Sequence, residues 1–384
     1  MIQRSPFLLV ILLGLVSLLG DITYEGARSI IGPYLATLGA SATVVGFVAG
    51  LGEFIGYGLR LISGYFTDKI KKYWTITFAG YFINLISVPA LALTKTWFQA
   101  VCLVLTERIG KAIRTPARDT ILSYTTSKIG RGKSFGFHEA MDQIGAITGP
   151  IIIASILFYT GSYKLSFTIL LIPALLALFI LFVSIFLYPH PQKFEKEESS
   201  IEQKVFSKGF WLYAFAIGIY GAGYADFALI AYHFKKTEIL TGSWIPVFYA
   251  IAMGVDAISA LIFGYFFDKK GFVILIFSVL ISSLFAPCVF LGDFNVVLLG
   301  MILWGIGMGA QESIMRAAIS FFIPKDKRAT GYGIFNALYG FLWFLGSTLL
   351  GVLYEFSIYA LVIISMLLQF LSIPLLISVS KIKL

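Results

Sequence analysis

The sequence predicts an all-α membrane protein in which twelve transmembrane helices form two pseudo-symmetric six-helix bundles. Of its 384 residues, 58% are hydrophobic and 13% are charged, whereas soluble domains have about 45–50% and about 25%. Apolar runs of transmembrane length follow one another along almost the whole chain, and short motifs of the first half return in the second. A water-soluble enzyme is therefore not expected, and neither is a disordered chain, because disorder requires the opposite composition.

Twelve apolar runs are long enough to cross about 30 Å of hydrocarbon, which takes roughly 20 helical residues. They cover residues 6–36, 43–66, 75–94, 97–124, 134–159, 165–188, 209–234, 243–267, 272–291, 295–322, 330–353 and 357–379. Runs such as 165–187 do not alternate between apolar and polar residues, as the strands of a transmembrane barrel do. The first run imitates a signal peptide, but no A-x-A-like site follows it, so we expect an uncleaved first helix.

Basic residues predict the orientation of the chain in a cell membrane. If both termini are cytoplasmic, the inner segments carry 18 Lys and Arg residues and the outer loops carry 4, an excess that matches the positive-inside rule. This distribution explains the net charge of +9 without a nucleic-acid partner. Cys102 and Cys288 lie within apolar runs, and no nucleotide loop, catalytic triad or metal-ligand spacing is visible. We therefore expect no enzyme, no metal and no cofactor.

A polar stretch divides the chain into two halves that repeat. Residues 189–208 are rich in Glu, Lys, Gln and Ser and are interpreted as a cytoplasmic linker, so residues 1–188 and 209–384 are the predicted bundles. The motif GYFTDK, which begins at Gly64, returns as GYFFDK at Gly264, 200 residues later. A second motif in residues 131–136 returns in residues 328–333, 197 residues later. Two motifs at nearly equal offsets indicate an internal duplication.

These motifs resemble those of the major facilitator superfamily. The stretch from Gly64 to Lys72 is similar to the family's loop signature between its second and third helices, G-x-x-x-D-R-x-G-R, although Lys71 occupies the second glycine position. The second copy keeps that glycine as Gly271, and Arg108 begins a run similar to the family's fourth-helix motif R-x-x-Q-G. The resemblance implies alternating access to a substrate site between the halves, near the membrane midplane. It also implies that the first and fourth helices line the cavity.

The repeated loop motif predicts a conformational lock on the cytoplasmic side. We expect a tight turn and close helix packing to require Gly64, and we expect Asp68 to cap the N-terminus of a neighbouring helix. The residues predicted to take part are Gly64, Asp68, Lys69, Lys72, Asp119, Gly264, Asp268 and Lys269. The alternative interpretation is an ordinary basic loop that lies at the lipid headgroups. Rows of small residues, such as Gly46 with Gly50, predict close helix contacts.

Charged residues inside the spans are the candidates for function, because one charge at a helix centre costs roughly 2.5–3.5 kcal/mol. Asp21, Glu25 and Arg28 fall within about 60° of one another around the first helix. The residues that share a similarly narrow arc of the fourth helix are Glu107, Lys111, Arg114 and Arg118. Pro116 is expected to disturb this helix, because proline removes one backbone hydrogen bond.

Two interpretations of these charges remain open. In the first, Lys111 and Arg114 attract an anionic group while Asp21 or Glu25 takes up and releases a proton, since burial favours the neutral form of a carboxyl group. In the second, the acids and bases form ion pairs that hold the helices together. The predicted cavity residues of the first half are Asp21, Glu25, Arg28, Lys111 and Arg114.

Other charged residues have weaker indications. Asp226 and Asp256 have no base on the same helix and are candidate proton or cation sites of the second half. His138, Glu139 and Asp142 open the fifth span and are interpreted either as a proton relay or as solvated or paired residues at the membrane surface.

Three functions are compatible with these observations. The first is a monomeric, proton-coupled secondary transporter of a small organic solute, anionic or amphipathic, in the lipid bilayer. The second is a multidrug exporter with an aromatic cavity, for which the candidate lining residues are Trp211, Tyr220, Tyr224, Tyr249, Trp304 and Trp343. The third belongs to another class, a membrane receptor or assembly partner that transports nothing.

Overall fold

The computed structural model describes residues 5–125, 131–191, 207–319, 322 and 328–381. Eleven helical stretches of this part are long and apolar enough to cross a membrane. A twelfth long helix, Trp97–Ser123, is less apolar because it carries six charged residues. Each of the twelve predicted spans coincides with a helical stretch, and the predicted all-α membrane fold is confirmed. Most of the predicted linker, residues 192–206, lies outside the described part.

The helices form two compact units whose boundaries differ from those of the sequence halves. Unit 1 contains Met1–Arg28 and Leu59–Ser199, and unit 2 contains Ser29–Gly58 and Ser200–Leu384. The end of the first helix and the start of the second therefore pack with the second half of the chain. The division into bundles at the linker remains a prediction about the duplicated sequence.

Unit 1 is built from seven helices of the described chain, two of which it shares with unit 2. They are α1 (Pro6–Thr37), α2 (Ala42–Ile70), α3 (Tyr73–Ala90), α4 (Trp97–Ser123), α5 (Arg131–Thr160), α6 (Tyr163–Ile169) and α7 (Leu171–Leu187). Two begin at N-caps that satisfy a free backbone N–H: Thr96 accepts from Gln99 N, and Ser162 accepts from Leu165 N. Leu13, Leu85 and Leu181 are fully buried in the apolar core that α1, α3, α4 and α7 share.

Helix α4 continues through Pro116 because a neighbouring helix replaces the lost hydrogen bond. Proline has no N–H, so the carbonyl of Ala112, one turn earlier, loses its usual partner. Ser63 Oγ of α2 donates to this carbonyl at 2.7 Å. Serine commonly satisfies freed backbone groups of membrane helices in this way. The side chains before and after Pro116 therefore stay on one continuous helix, Trp97–Ser123.

Unit 2 contains the remaining helices together with the shared parts of α1 and α2. They are α8 (Lys208–Ala222), α9 (Phe227–Thr237), α10 (Trp244–Lys270), α11 (Phe272–Ser282), α12 (Phe285–Leu291), α13 (Phe294–Ala310), α14 (Arg316–Ile319), α15 (Arg328–Phe356) and α16 (Ile358–Ser380). A π-helical turn, Gln311–Met315, joins α13 to α14. Such turns are rare, and they occur often at functional sites.

The seventh span is broken between α8 and α9, and side chains satisfy the backbone at the break. Asp226 Oδ1 caps α9 by accepting from Ala228 N at 3.0 Å. The carbonyl of Gly223 accepts from Ser365 Oγ at 2.6 Å and from Gln369 Nε2 at 3.2 Å. Irregular backbone at membrane depth is tolerated only where protein or water provides such partners. Within unit 2 these contacts make the break a defined structural feature.

Small residues bring α2 and α15 together within unit 2. A Cβ atom on Gly46 would lie 2.4 Å from the carbonyl oxygen of Ser347 and 2.9 Å from Gly351 Cα. Glu355 strengthens the contact, because its Oε1 accepts from Ala42 N at 2.6 Å, where the free N–H groups at the start of α2 favour an anion. The predicted close contact of the Gly46 row is confirmed.

A leucine in place of Gly46 is expected to lower the free energy of unfolding by about 1–3 kcal/mol, because it forces the backbones of α2 and α15 apart. The matched control is Gly56→Leu on the same helix, where a Cβ would meet no described atom within 4 Å. Thermal unfolding of the purified protein in detergent measures both variants. Equal stability of the two would contradict the close packing at Gly46.

The loop motif has its turn at a different residue from the one expected. Lys71 has a positive φ of 57°, and Gly271 has a φ of 56° at the equivalent place of the second copy. Lys71 N and Gly271 N donate to the carbonyls of Thr67 and Phe267, four residues earlier. Both residues thus end their helix in the conformation that favours glycine.

The expectation that close packing and a tight turn require glycine at position 64 is wrong. Gly64 lies inside α2, where a Cβ would make an ordinary contact with Pro116 Cβ at 3.7 Å. A Cβ on Gly264 would meet no described atom within 4 Å. The resemblance to the family signature placed the turn at Gly64. The turn falls at Lys71 instead, the position where this chain departs from that signature.

Replacement of Lys71 by glycine is expected to stabilise the protein by about 1 kcal/mol, since a left-handed conformation costs a side-chain-bearing residue about 1–2 kcal/mol. Lys72→Gly is the control: it removes the same charge at a residue with φ of −94°, and it is expected to have no stabilising effect. Thermal unfolding distinguishes the two. A gain in both variants would assign the effect to charge instead of backbone conformation.

Candidate functional site

Arg114 lies where α3 and α4 of unit 1 approach most closely. A Cβ on Gly80 would lie 2.6 Å from Arg114 N, and a Cβ on Gly110 would lie 2.4 Å from Asn84 N. The absence of side chains at these two glycines lets the two backbones touch. The contact fixes the Arg114 backbone against α3 and buries the residue, which is 1% exposed.

The Arg114 guanidinium is held by aromatic rings. Its Cζ lies 4.1 Å from the centroid of the Tyr81 ring and 5.7 Å from that of the Tyr24 ring, distances at which a cation is attracted to a ring face. Its Nε and Nη1 are buried and find no hydrogen-bond acceptor in the described part of the chain. Two strong donors inside the protein are therefore available to an anion.

Lys111 comes to the same place from the preceding turn of α4. Its Nζ lies 3.8 Å from the centroid of the Tyr24 ring of α1. Glu25 and Asp21 are charged neighbours of Lys111. The two cations thus meet at one tyrosine of α1, and the cavity wall stays a prediction.

Three acids of α1 and α5, Asp21, Glu25 and Asp142, are charged neighbours of this tyrosine in unit 1. Asp21 is 5% exposed, accepts a hydrogen bond from Tyr24, and has Asp142, Lys111 and Glu25 as charged neighbours. Its Oδ1 is buried and has no described hydrogen-bond partner. Arg28 Nη1 lies 3.7 Å from Glu25 Oε1. The structure therefore brings all five predicted residues of the first half into one region of unit 1.

The other charges of α4 have partners of their own. Glu107 Oε1 accepts from Asn84 Nδ2 at 2.7 Å, and Glu107 Oε2 lies 3.4 Å from Arg108 Nε. Arg118 Nη2 lies 2.8 Å from Asp119 Oδ1. These contacts match the ion-pair interpretation. On the predicted arc of α4, Glu107 and Arg118 at the two ends are thus paired. Lys111 and Arg114 in the middle lie beside Tyr24.

Asp226 and Asp256 belong to unit 2 and not to this cluster. Asp226 is 3% exposed and caps α9. Asp256 is 1% exposed on α10, where Gly309 of α13 packs against its backbone carbonyl, and it is a charged neighbour of Tyr224. The structure thus gives Asp226 a defined structural contact and places Asp256 among aromatic residues.

The aromatic residues of unit 2 form a packed cluster. The rings of Tyr224, Trp304 and Trp343 lie within 6 Å of a neighbouring ring, and Trp304 Nε1 donates to the carbonyl of Ala225 at 3.0 Å. Tyr224 OH donates to the carbonyl of Trp304. Trp211 is 43% exposed and packs on Phe210. Its role as a cavity-lining residue stays a prediction.

The predicted lock residues lie at helix ends, where most of their side chains are exposed. Lys269 contacts Tyr265 of its own helix, with Nζ 4.0 Å from the ring centroid. Lys69, Lys72 and Asp268 are exposed. The side chain of Asp68 lies outside the described part. The lock remains a prediction.

Sequence reasoning missed the uncharged members of the site. Tyr24 lies three residues from Asp21 on the same helix face, a signal that was present in the spacing. Tyr81 and Asn84 of α3 gave no signal, because α3 contains no charge between Tyr73 and Ala90. Their roles depend on the approach of α3 to α4.

Comparison with known proteins agrees with this architecture. The sequence pattern described as Major Facilitator Superfamily matches residues 10–347. An uncharacterized protein of Mycobacterium tuberculosis is 37% identical over 96% of this chain and 92% of its own length. An uncharacterized MFS-type transporter of Methanocaldococcus jannaschii is 29% identical over 91% of this chain and 89% of its own.

A solved structure has the same fold. The crystal structure of the nucleoside transporter NupG superposes with a TM-score of 0.74 at 18% identity, and the match covers 98% of this chain and 100% of that one. At this identity the likeness concerns the fold alone. The helical spans, the family pattern and the fold together lead to one conclusion: this chain belongs to the Major Facilitator Superfamily and is an integral membrane transporter, not an enzyme.

Proposed function

We propose that this protein is a secondary active transporter that moves a small organic anion together with a proton across the cell membrane. Arg114 and Lys111 bind the anion, and Asp21 carries the proton. Both termini lie in the cytoplasm in the orientation that the basic residues predict. The observation that carries the proposal is the buried Arg114 guanidinium, whose Nε and Nη1 have no described acceptor.

The buried Arg114 charge is costly without a bound anion. A charged residue inside the membrane costs roughly 2.5–3.5 kcal/mol on insertion scales, and the Tyr81 ring offsets part of this cost, about 0.5–2 kcal/mol. A structural role would be served at lower cost by an apolar residue. A planar guanidinium with free donors matches a carboxylate or phosphate group, which accepts two parallel hydrogen bonds.

Proton coupling is supported by the surroundings of Asp21. The carboxylate is almost fully buried and lies near a second acid, Asp142, and two neighbouring carboxylates rarely ionise together. An anion that binds at Arg114 brings negative charge to the same region. Protonation of Asp21 then lowers the electrostatic cost of the loaded state, which links proton binding to anion binding.

The multidrug alternative has less support. A promiscuous cavity needs aromatic surface that a ligand can reach. Tyr220, Tyr224 and Trp304 are at most 1% exposed, and their polar atoms are bonded to backbone or to Ser282. These residues pack the interior of unit 2.

The anion proposal predicts that Lys111→Gln and Arg114→Gln reduce transport at least tenfold, because each removes a cation that binds the substrate. Wild type and variants in proteoliposomes are compared for uptake of radiolabelled benzoate, succinate and glycerol 3-phosphate under an imposed pH gradient. Lys95→Gln is the control, since Lys95 is an exposed residue just before α4.

Uptake of uridine or tetraphenylphosphonium in place of the three anions would contradict the anion proposal. Tetraphenylphosphonium uptake would support the multidrug alternative. Wild-type rates in both Gln variants would remove Lys111 and Arg114 from the site.

A second prediction concerns stability. Arg114→Met is expected to raise the free energy of unfolding of the substrate-free protein by about 1–3 kcal/mol, because it removes a charge buried in the membrane and keeps a flexible apolar chain of similar length. The same variant is expected to lose anion transport. Thermal unfolding in detergent measures the change in stability. Repeating it with about 10 mM of each anion shows whether the anion still binds, because a bound ligand stabilises the folded state. Uptake in proteoliposomes measures the loss of transport. A destabilised variant would indicate that Arg114 is a structural residue.

A further inference from the structure

His138 is a buried histidine that the proposed substrate site does not use. It lies two turns after the start of α5 and is 4% exposed. Its Nδ1 lies 3.4 Å from Asp142 Oδ1, one turn later on the same helix. Its Nε2 is buried and has no hydrogen-bond partner in the described part of the chain. Of the alternatives given by the sequence, the solvated histidine is therefore excluded, whereas the paired histidine and the relay both fit these contacts.

Asp142 connects this histidine to the neighbouring helices of unit 1. Ser17 of α1 is hydrogen-bonded to the Asp142 carboxylate. Arg118 Nη1 of α4 donates to Ser17 Oγ at 3.3 Å. The contacts are close because glycines of α5 face α1: a Cβ on Gly145 would lie 2.5 Å from the carbonyl oxygen of Leu18. His138, Asp142 and Gly145 share one face of α5 at helical spacing.

The face of α5 that carries His138 and Asp142 also lies beside Asp21, the proposed proton carrier. Asp21 lies one turn beyond Ser17 on α1, and Asp142 is among its charged neighbours. A Cβ on Gly145 would lie 2.7 Å from Asp21 Cβ, which places Asp21 beside the face that carries Asp142. A sequence of buried polar groups thus extends from Asp21 through Asp142 to His138, toward the end of α5 that the predicted topology places in the cytoplasm.

The charged groups around His138 are consistent with proton transfer. On α1, Asp21 faces the pair, and on α4 Arg118 and Asp119 form an ion pair with each other. On α5 itself, Glu139 is exposed. Arg118 is a charged neighbour of Asp142, and it keeps the site from accumulating negative charge when Asp142 gives up a proton. Histidine is the side chain best suited to pass a proton near neutral pH.

We propose that Asp142 and His138 form a proton relay between Asp21 and the cytoplasmic water. Asp21 releases its proton and the Asp142 carboxylate gains it. His138 then takes this proton at Nδ1 and gives the proton on Nε2 to water, so the imidazole ends neutral and Asp142 ends ionised. The relay rests on the proposed proton-coupled function and names the residues that complete it.

The test separates proton movement from substrate movement. Uptake driven by a pH gradient requires the proton to leave the carrier, whereas counterflow exchange of a radiolabelled anion against the same unlabelled anion involves no net proton transfer. His138→Gln in proteoliposomes is therefore expected to keep counterflow of benzoate, succinate or glycerol 3-phosphate within twofold of wild type. Gradient-driven uptake of the same anion is expected to fall at least tenfold in His138→Gln and in Asp142→Asn.

Two histidines provide matched controls. His190→Gln changes an exposed residue after α7, and His233→Gln changes a buried residue of unit 2 that is bonded to Tyr354. Both are expected to keep gradient-driven uptake. A loss in His233→Gln equal to that in His138→Gln would overturn the relay, because any buried histidine would then have the same effect.

Three other outcomes would overturn the relay. Full gradient-driven uptake in His138→Gln and Asp142→Asn overturns the relay and leaves the proposed function intact. Loss of counterflow as well as uptake in folded His138→Gln also overturns it, since the histidine would then position the substrate site. A wild-type protein that exchanges anions but ignores the pH gradient overturns both the relay and the proton-coupled part of the proposed function.

Discussion

The cost of placing charge in lipid determines how unit 1 is built. An isolated charge in lipid would cost roughly 2.5–3.5 kcal/mol, and Asp21, Glu25, Glu107 and Arg114 are buried inside the protein. They are gathered where α1, α3, α4 and α5 meet. Glycines make this possible: Gly80 and Gly110 join α3 to α4, and Gly145 joins α5 to α1. Close backbones bring short polar groups within hydrogen-bonding distance, so most charges find partners and the middle of α4 remains available for an anion.

The two units use polar groups in different ways. In unit 1 the polar groups are largely ionisable, and Arg114 and Asp21 retain unsatisfied atoms. In unit 2 the prominent contacts are neutral: Ser365 and Gln369 satisfy the break before α9, and Trp304 bonds to the carbonyl of Ala225. In the described part of the chain, ionisable contacts are thus concentrated in unit 1, and aromatic packing dominates unit 2.

The two proposals involve adjacent parts of one polar region. Arg114 and Lys111 meet at Tyr24, and Tyr24 is hydrogen-bonded to Asp21. The tyrosine therefore contacts both the cations that we propose to bind the anion and the acid that we propose to carry the proton. An anion and a proton that bind together add no net charge, which lowers the cost of moving the loaded site through a low-dielectric region. Such a shared contact is a physical basis for coupling, because each ligand changes the electrostatic environment of the other.

The sequence alone determined the twelve spans, the internal duplication and the family resemblance, because apolar runs and local motifs are properties of consecutive residues. It also predicted that Asp21, Glu25 and Arg28 share one face of α1 and that Lys111 and Arg114 share one face of α4, since these follow from helical spacing. Only the tertiary structure decided which charges pair: Glu107 turns to Asn84, Arg118 to Asp119 and Ser17, and His138 is buried beside Asp142. The tertiary structure also decided that the turn falls at Lys71 and that the end of α1 belongs to unit 2. These outcomes depend on distances between helices that are remote in sequence, and periodicity within one helix carries no information about them.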